Sequence, residues 1–203
     1  MAAHKRLADA GYPVDSYGTG NRVNLPGTRS PLSSSFLLPF SSFSFSSHLT
    51  RPGPSPYEPN VFEFGVPYRT MYDKLRGMDE ALYLRNGVLQ MLERNFNVKR
   101  APERWQDEKE RNYDVAITYE ERVYDALIDD MEERPKETYR QLHVLGLDVR
   151  DNHTEAERGA EHTVMLVEAL RSAGEEWEER LEDIIETFQR ASGRVVTHGI
   201  CFY

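Results

Sequence analysis

The sequence predicts an α/β protein, a parallel-type sheet flanked by helices. Residues 113–119, YDVAITY, and 142–149, LHVLGLDV, are short runs of β-branched, aromatic and aliphatic residues, the composition of buried strands. Each precedes a stretch with apolar residues at helical spacing, and such alternation predicts parallel strands covered by helices. With 203 residues, 39% of them apolar, the chain is long enough for one domain with its own core.

The remaining elements follow in order. Residues 1–10 read as a helix ended by Gly11, and VDSYGTG as a short strand running into a glycine turn. From Thr28 to Gly53 the composition changes. Residues 30–47 contain nothing but Ser, Phe, Leu and Pro, without charge or apolar period, and are expected to be a disordered low-complexity insertion. All four amino acids have pyrimidine-rich codons, and Pro26-Gly27 before the segment is echoed by Pro52-Gly53 after it. A translated, unspliced intron is the sharper expectation for it.

Beyond Val61, residues 68–75, 79–84 and 88–96 carry helical spacing, broken by Gly77 and by Asn86-Gly87. After YDVAITY, the segment EERVYDALIDDMEER places Val123, Leu127, Ile128 and Met131 on one helix face. A helix from about His153 is expected to turn on Ala160, Val164, Val167 and Leu170 or Arg171. Gly174 then separates a helix with Trp177, Leu181, Ile184, Ile185 and Phe188 on one side, ahead of a closing strand, VVTHGICFY.

The charge balance, 25 Lys and Arg against 34 Asp and Glu, argues against a surface that neutralises nucleic-acid phosphates or anionic lipid. The single cysteine, Cys201, excludes an internal disulfide or CxxC pair. No apolar run is long enough to cross a membrane and MAAHKRLADAG lacks the middle of a signal peptide, so a soluble intracellular protein is expected. Six histidines without HxxxH or HExxH spacing predict no metal site. YGTG matches no phosphate-loop spacing and reads as a turn.

Chemistry concentrates in residues 148–153, DVRDNH, at the carboxyl end of the second predicted strand, where ligands bind parallel sheets. Asp151 or Asn152 suits a helix cap there, and with Asn152 as cap Glu155 falls at capping-box spacing. Asp148 or Asp151 suits a general acid, a carboxyl group held where a leaving group departs. The two readings are compatible. Cys201 has only Phe202 and Tyr203 after it, hence no following loop of amides to stabilise a thiolate, and reads as a buried strand cysteine.

Several segments together resemble the RNA polymerase II C-terminal-domain (CTD) phosphatases of the Ssu type, relatives of low-molecular-weight protein tyrosine phosphatases. They are SYGTGNRVNLPG, YLRNGVLQMLERN, PERWQ, YDVAITYEERVYDALIDD, HVLGLDVRDNHTEAERGA and the terminal CFY. The resemblance implies a cofactor-free nuclear phosphoserine phosphatase. Its substrate would be the serine before proline in the polymerase tail, and its partner a scaffold of the cleavage and polyadenylation complex, in mRNA 3′-end processing and transcription termination. In that family a C-x5-R-S loop after the first strand supplies the cysteine nucleophile and a phosphate-gripping arginine. Carried over by motif, Asp151 is the general acid and Asp148 a supporting residue, while Asn24, Leu25, Pro26 and Met91 line the peptide groove. Asn24 stands where the family often has a basic residue.

Residues 1–4, MAAH, resemble the helix that follows the C-x5-R-S loop. The first strand and the nucleophile are therefore expected to be absent from these residues, leaving neighbouring backbone edges unpaired and a trench beside them. With the Ser/Phe tract, this suggests a truncated gene model and a chain inactive by itself. The alternatives are a non-catalytic pseudophosphatase that docks the polymerase tail or a polyadenylation scaffold, and a helix-rich acidic scaffold with no phosphate chemistry.

Overall fold

The structure is a computed structural model that describes residues 1–27, 59–149 and 153–203. The expected 28–53 insertion and Asp151 lie outside the described residues. The elements are α1 (Ala2–Asp9), β1 (Tyr17–Gly18), β2 (Val23–Leu25), β3 (Asn60–Phe62), α2 (Tyr68–Arg85), α3 (Val88–Val98) and β4 (Glu103–Arg104). They continue with β5 (Val115–Thr118), α4 (Glu121–Glu133), β6 (Gln141–Leu147), α5 (His153–Ser172), α6 (Leu181–Ser192) and β7 (Val196–Phe202). They group into two compact units, Met1–Asn21 with Pro102–Tyr203, and Arg22–Ala101.

The larger unit is built on the strand order β5-β6-β7. As the sequence predicts, β5 and β6 are parallel, Val115 facing His143 and Thr118 facing Gly146. The closing strand corrects the expectation of parallel pairing, because β7 runs antiparallel to β6, with Leu147 opposite Val196. Two helices, α5 and α6, separate β6 from β7. One carries the chain away from the end where β6 finishes and the other brings it back, so β7 starts beside the point where β6 stopped.

Both faces of this sheet are apolar, as expected of strands covered on two sides. Leu145 and Leu147 pack with Leu166, Leu170, Ile184 and Phe188 of α5 and α6. Leu142 and Val144 pack with Leu127 and Met131 of α4, Trp105 and Cys201. The inward face of α5 departs from the expected one. Ala160, Thr163, Leu166 and Leu170 are buried, rather than Val164 and Val167. A threonine takes a core position because its hydroxyl is satisfied there, donating to the Gly159 carbonyl at 2.8 Å and bonded to the Tyr119 hydroxyl at 2.9 Å.

β5 is paired on one side only among the described residues. The Asp114 carbonyl accepts from the His143 N–H at 2.9 Å. Strand alternation therefore turns the N–H and C=O groups of Val115 and Ile117 the other way. Alongside that edge lies a cavity of about 960 Å³, bounded opposite by residues 14–17 and α1. On its far side β1 pairs in parallel with β4, Tyr17 facing Glu103.

In the smaller unit β2 and β3 form an antiparallel pair and α2 and α3 pack together, with Met71 and Leu75 of α2 and Leu89 and Leu92 of α3 buried. The expected break at Gly77 sits at Asp79 instead, where φ is −162°. The Asp79 carboxylate accepts the Leu82 N–H at 2.9 Å, so it caps the second half of α2. Gly87, with φ of 79°, opens α3 in the left-handed region that favours glycine.

Leu145 is fully buried between the layers. Leu145→Ala should lower the unfolding free energy by about 3 kcal/mol, measured by urea denaturation, the range for a leucine deleted from a well-packed core. A second outcome follows from His143 and His198. They stack between β6 and β7 with ring nitrogens 3.1 Å apart, near Glu178, Asp114 and Glu182. Burial holds both below the ordinary imidazole value of 6.5, more than the carboxylates raise them. The unfolded chain therefore binds more protons just below that value. Stability should fall as the pH drops from about 7 toward 5, and less steeply in His198→Asn.

Candidate active site

The sequence places the chemistry after β6, and the structure shows how the two flanks of that segment are held. Asp148 is exposed and Val149 buried. The Val149 N–H donates to the Tyr119 carbonyl at 3.1 Å, tying the exit of β6 to the end of β5. Its side chain packs on Gly159 of α5, where an added Cβ would stand 2.9 Å from the valine Cγ2. On the far side, α5 begins at His153, in agreement with the predicted helix start.

Arg194 joins the two flanks. It follows Gly193, which ends α6 with φ of 68°. One guanidinium nitrogen donates to the Asp148 carbonyl at 3.0 Å, and the other donates to the Glu155 carboxylate. Arg158 donates to the same carboxylate at 3.1 Å. Arg194 and Glu155 expose only 20% and 18% of their side chains, so this pair is shielded from water far more than a surface ion pair. Asp148, Glu155, Arg158, His162, Ser192 and Arg194 line a polar cavity of about 530 Å³. Burial and the Arg194 and Arg158 charges push the His162 pKa down.

Tyr119 is the meeting point. Its ring packs with Ala2, Ala3 and Ala160, so the N-terminus of α1 rests at the same end of the unit as the start of α5. Arg6 of α1 reinforces the placement, pairing with Glu157 at 3.1 Å and Glu161 at 3.3 Å on α5. Burial pushes the Tyr119 hydroxyl up to about 12, so it stays protonated and serves as structure. A helix N-terminus carries unsatisfied N–H groups and partial positive charge, and favours an anion. Around Tyr119 the fold therefore brings together the N-terminal end of α1 and Val149, at the exit of β6.

The other candidates are placed as follows. Asn24 is exposed on β2, Leu25 is buried beside it and Pro26 is exposed. The Pro26 carbonyl accepts from the Asn60 amide at 3.2 Å, and Met91 lies half-buried on α3. These four belong to the smaller unit, whereas Asp148 belongs to the larger. Cys201 is a buried residue of β7, and burial raises its thiol pKa, as expected for an inert strand cysteine. Among the described residues no group of three His, Cys, Asp or Glu side chains is placed to hold a metal, and no helix is long and apolar enough to cross a membrane. Sequence reasoning missed Arg194, Arg158 and Tyr119, none of which belongs to a spaced motif.

With an α/β sheet, a buried strand leading into DVRDNH and a helix N-terminus beside it, the molecule has the layout of a phosphate-handling α/β protein. The model of the Ssu72-like protein family matches residues 1–41 and 32–203, and the chain belongs to that family. It is 41% identical over 164 residues to the RNA polymerase II C-terminal domain phosphatase SSU72 of Dictyostelium discoideum, covering 80% of this chain and 76% of that protein. It is 36% identical to the Homo sapiens protein of the same name over 203 residues, 90% of that protein. A solved structure of the Drosophila melanogaster CTD serine phosphatase superposes with a TM-score of 0.83 at 34% identity, covering 100% of this chain and 92% of that one. The D. melanogaster Ssu72 with Symplekin, bound to a cis peptidomimetic of a CTD phosphoserine peptide, superposes at 0.82 with 32% identity, covering 100% and 90%.

Arg194 is the single side chain described that bonds both Asp148 and Glu155. Arg194→Ala should lower stability by about 2 kcal/mol in urea titrations, since it strips charged hydrogen bonds from the partly buried Glu155 carboxylate and from the Asp148 carbonyl. Arg194→Lys, which lacks the planar fork, should recover only part of that loss.

Proposed function

We propose that the chain is the acid-bearing body of a protein-serine phosphatase that acts on the phosphorylated polymerase II tail at the serine before proline. What carries this reading is the convergence at Tyr119 of the α1 N-terminus with the junction that leads to Asp151. The phosphoryl group would rest against the helix N–H groups. Asp151 would protonate the departing serine oxygen and then activate water, with Asp148 in support. Serine alkoxide is a poor leaving group, so proton transfer to it matters.

Asn24, Leu25, Pro26 and Met91 are proposed to contact the peptide. The peptide-bound Drosophila neighbour supports that substrate class, and its Symplekin partner supports a polyadenylation scaffold as partner. The proposal extends to mRNA 3′-end processing, transcription termination and a nuclear location.

A second reading is favoured by one observation. The single cysteine of these 203 residues is buried in β7 with its thiol pKa raised, and is no nucleophile. These residues alone would then bind the tail without turnover. Extending the chain ahead of Met1 by an apolar strand and a C-x5-R-S loop separates the two readings. The phosphatase reading expects turnover of a phosphoserine-proline peptide by the extended chain, and persistent inactivity with tight peptide binding favours the docking one. In the active form, Asp151→Asn should slow the phosphoserine peptide by about 10²-fold or more. An aryl phosphate, whose leaving group needs less protonation, should slow far less. Equal slowing of both substrates contradicts the general-acid role.

A further inference from the structure

His143 stands near the start of β6, away from the junction that follows the strand's other end. Its ring stacks on that of His198 in β7, with centroids 5.4 Å apart and planes at 11°, and its Nδ1 lies 3.1 Å from His198 Nε2. His143 is 3% exposed, and its other nitrogen, Nε2, is buried without a hydrogen-bond partner among the described residues. Residues 174–180, between α5 and α6, cover it. Trp177 of that segment meets the His143 ring edge-on at 5.0 Å, and Glu178 Oε1 stops 4.0 Å from Nε2. Trp177 is half-buried, whereas the other residues of the segment are exposed. The cover is therefore held to the sheet chiefly by one indole resting on one imidazole.

The neutral pair has one N–H between the rings and one on an outer nitrogen, His143 Nε2 or His198 Nδ1. One added proton keeps the bridge and puts hydrogen on both outer nitrogens. His143 Nε2 then carries a buried, charged N–H with no acceptor, a costly state. Carboxylates face the pair from ahead of β5 (Asp114), from the covering segment (Glu178) and from α6 (Glu182). Asp114 is already paired with Arg140, and Glu182 faces His198 rather than His143. Glu178 stands beyond hydrogen-bond reach with 55% of its side chain exposed, so water screens it. Burial outweighs all three and holds both imidazoles below 6.5.

We propose that the pair is an acid-sensitive latch: uptake of one proton from solvent by the stacked imidazoles releases residues 174–180 from the sheet, lifting Trp177 and letting water reach His143 Nε2. At neutral pH the latch is shut, because Trp177 covers a ring that needs no counter-charge. The released state, with His143 hydrated, binds the proton more readily than the covered state, so a fall in pH through about 6.5 favours release. Release stops at α6, where Leu181, Ile184 and Ile185 are anchored in the core. It is thus a local opening that comes before any global loss of structure.

The test follows the whole 203-residue chain, isotopically labelled, from about pH 8 to about pH 5 by amide exchange and by the chemical shifts of the imidazole nitrogens. No turnover is needed to see the latch, so its failure and that of the phosphatase reading are distinguishable. After correction for the intrinsic rate, exchange at Trp177 and Glu178 should speed by about fivefold or more as His143 takes up its proton, and more than at Leu145 in the core. His143→Gln, which has no proton to gain, should abolish the speeding. Glu178→Gln alters an exposed side chain and should enlarge it, because the covered imidazolium loses the carboxylate that favours it most. If His143→Gln fails to fold, the Glu178→Gln comparison decides. The latch is overturned by exchange at Trp177 that is unchanged or slower in acid, by the same speeding in His143→Gln, or by an equal or smaller one in Glu178→Gln.

Discussion

A backbone N–H or C=O withdrawn from water has to find a partner, and the larger unit is organised around how β5 and β6 meet that demand. β6 meets it completely, with β5 on one side and β7 on the other, and Leu142, Val144 and Leu145 are correspondingly sealed from solvent. Among the described residues β5 meets it on one side. Residues 14–17 stand across a gap from its other edge, and α1 closes one end of that gap by packing on α5. The position of α1, and with it the anion-attracting helix end, depends on α5 and Tyr119 rather than on the sheet directly.

Tyr119 links these layers because each of its groups has a separate task. Its carbonyl holds Val149, its hydroxyl bonds Thr163, and its ring supports Ala2, Ala3 and Ala160. Arg194 works from the opposite side. The two-helix connection between β6 and β7 returns the chain to the exit of β6, so a residue just ahead of β7 can reach Asp148 and Glu155. Both described flanks of the short segment between β6 and α5 are thereby held, Val149 by Tyr119 and Asp148 and Glu155 by Arg194.

Much of this was legible in the residues. YDVAITY and LHVLGLDV read as buried strands because both faces of each are covered, which removes the polar alternation of a half-exposed strand. The helix starting at His153 read correctly from its spacing. What escaped depended on contacts distant in sequence. The direction of β7 follows from the number of helices before it, not from VVTHGICFY itself. The buried face of α5 turned on Thr163, whose polarity hides its core role until Tyr119 and Gly159 are seen beside it. Arg194 reaches partners 46 and 39 residues away, which no local pattern announces. At Asp79, by contrast, the signal was local, and the capping chemistry of Asp outweighed the flexibility of Gly77 two residues earlier.

The central claim is that phosphoserine is received where the α1 N-terminus meets the DVRDNH junction. Titration of the isotopically labelled chain with a phosphoserine-proline peptide of the polymerase tail, followed by amide chemical shifts, addresses it directly. The account predicts saturable shifts at Ala2, Ala3, Tyr119 and Val149 that are much weaker with the unphosphorylated peptide. Shifts confined to other surfaces, or equal shifts with and without the phosphate, would contradict it.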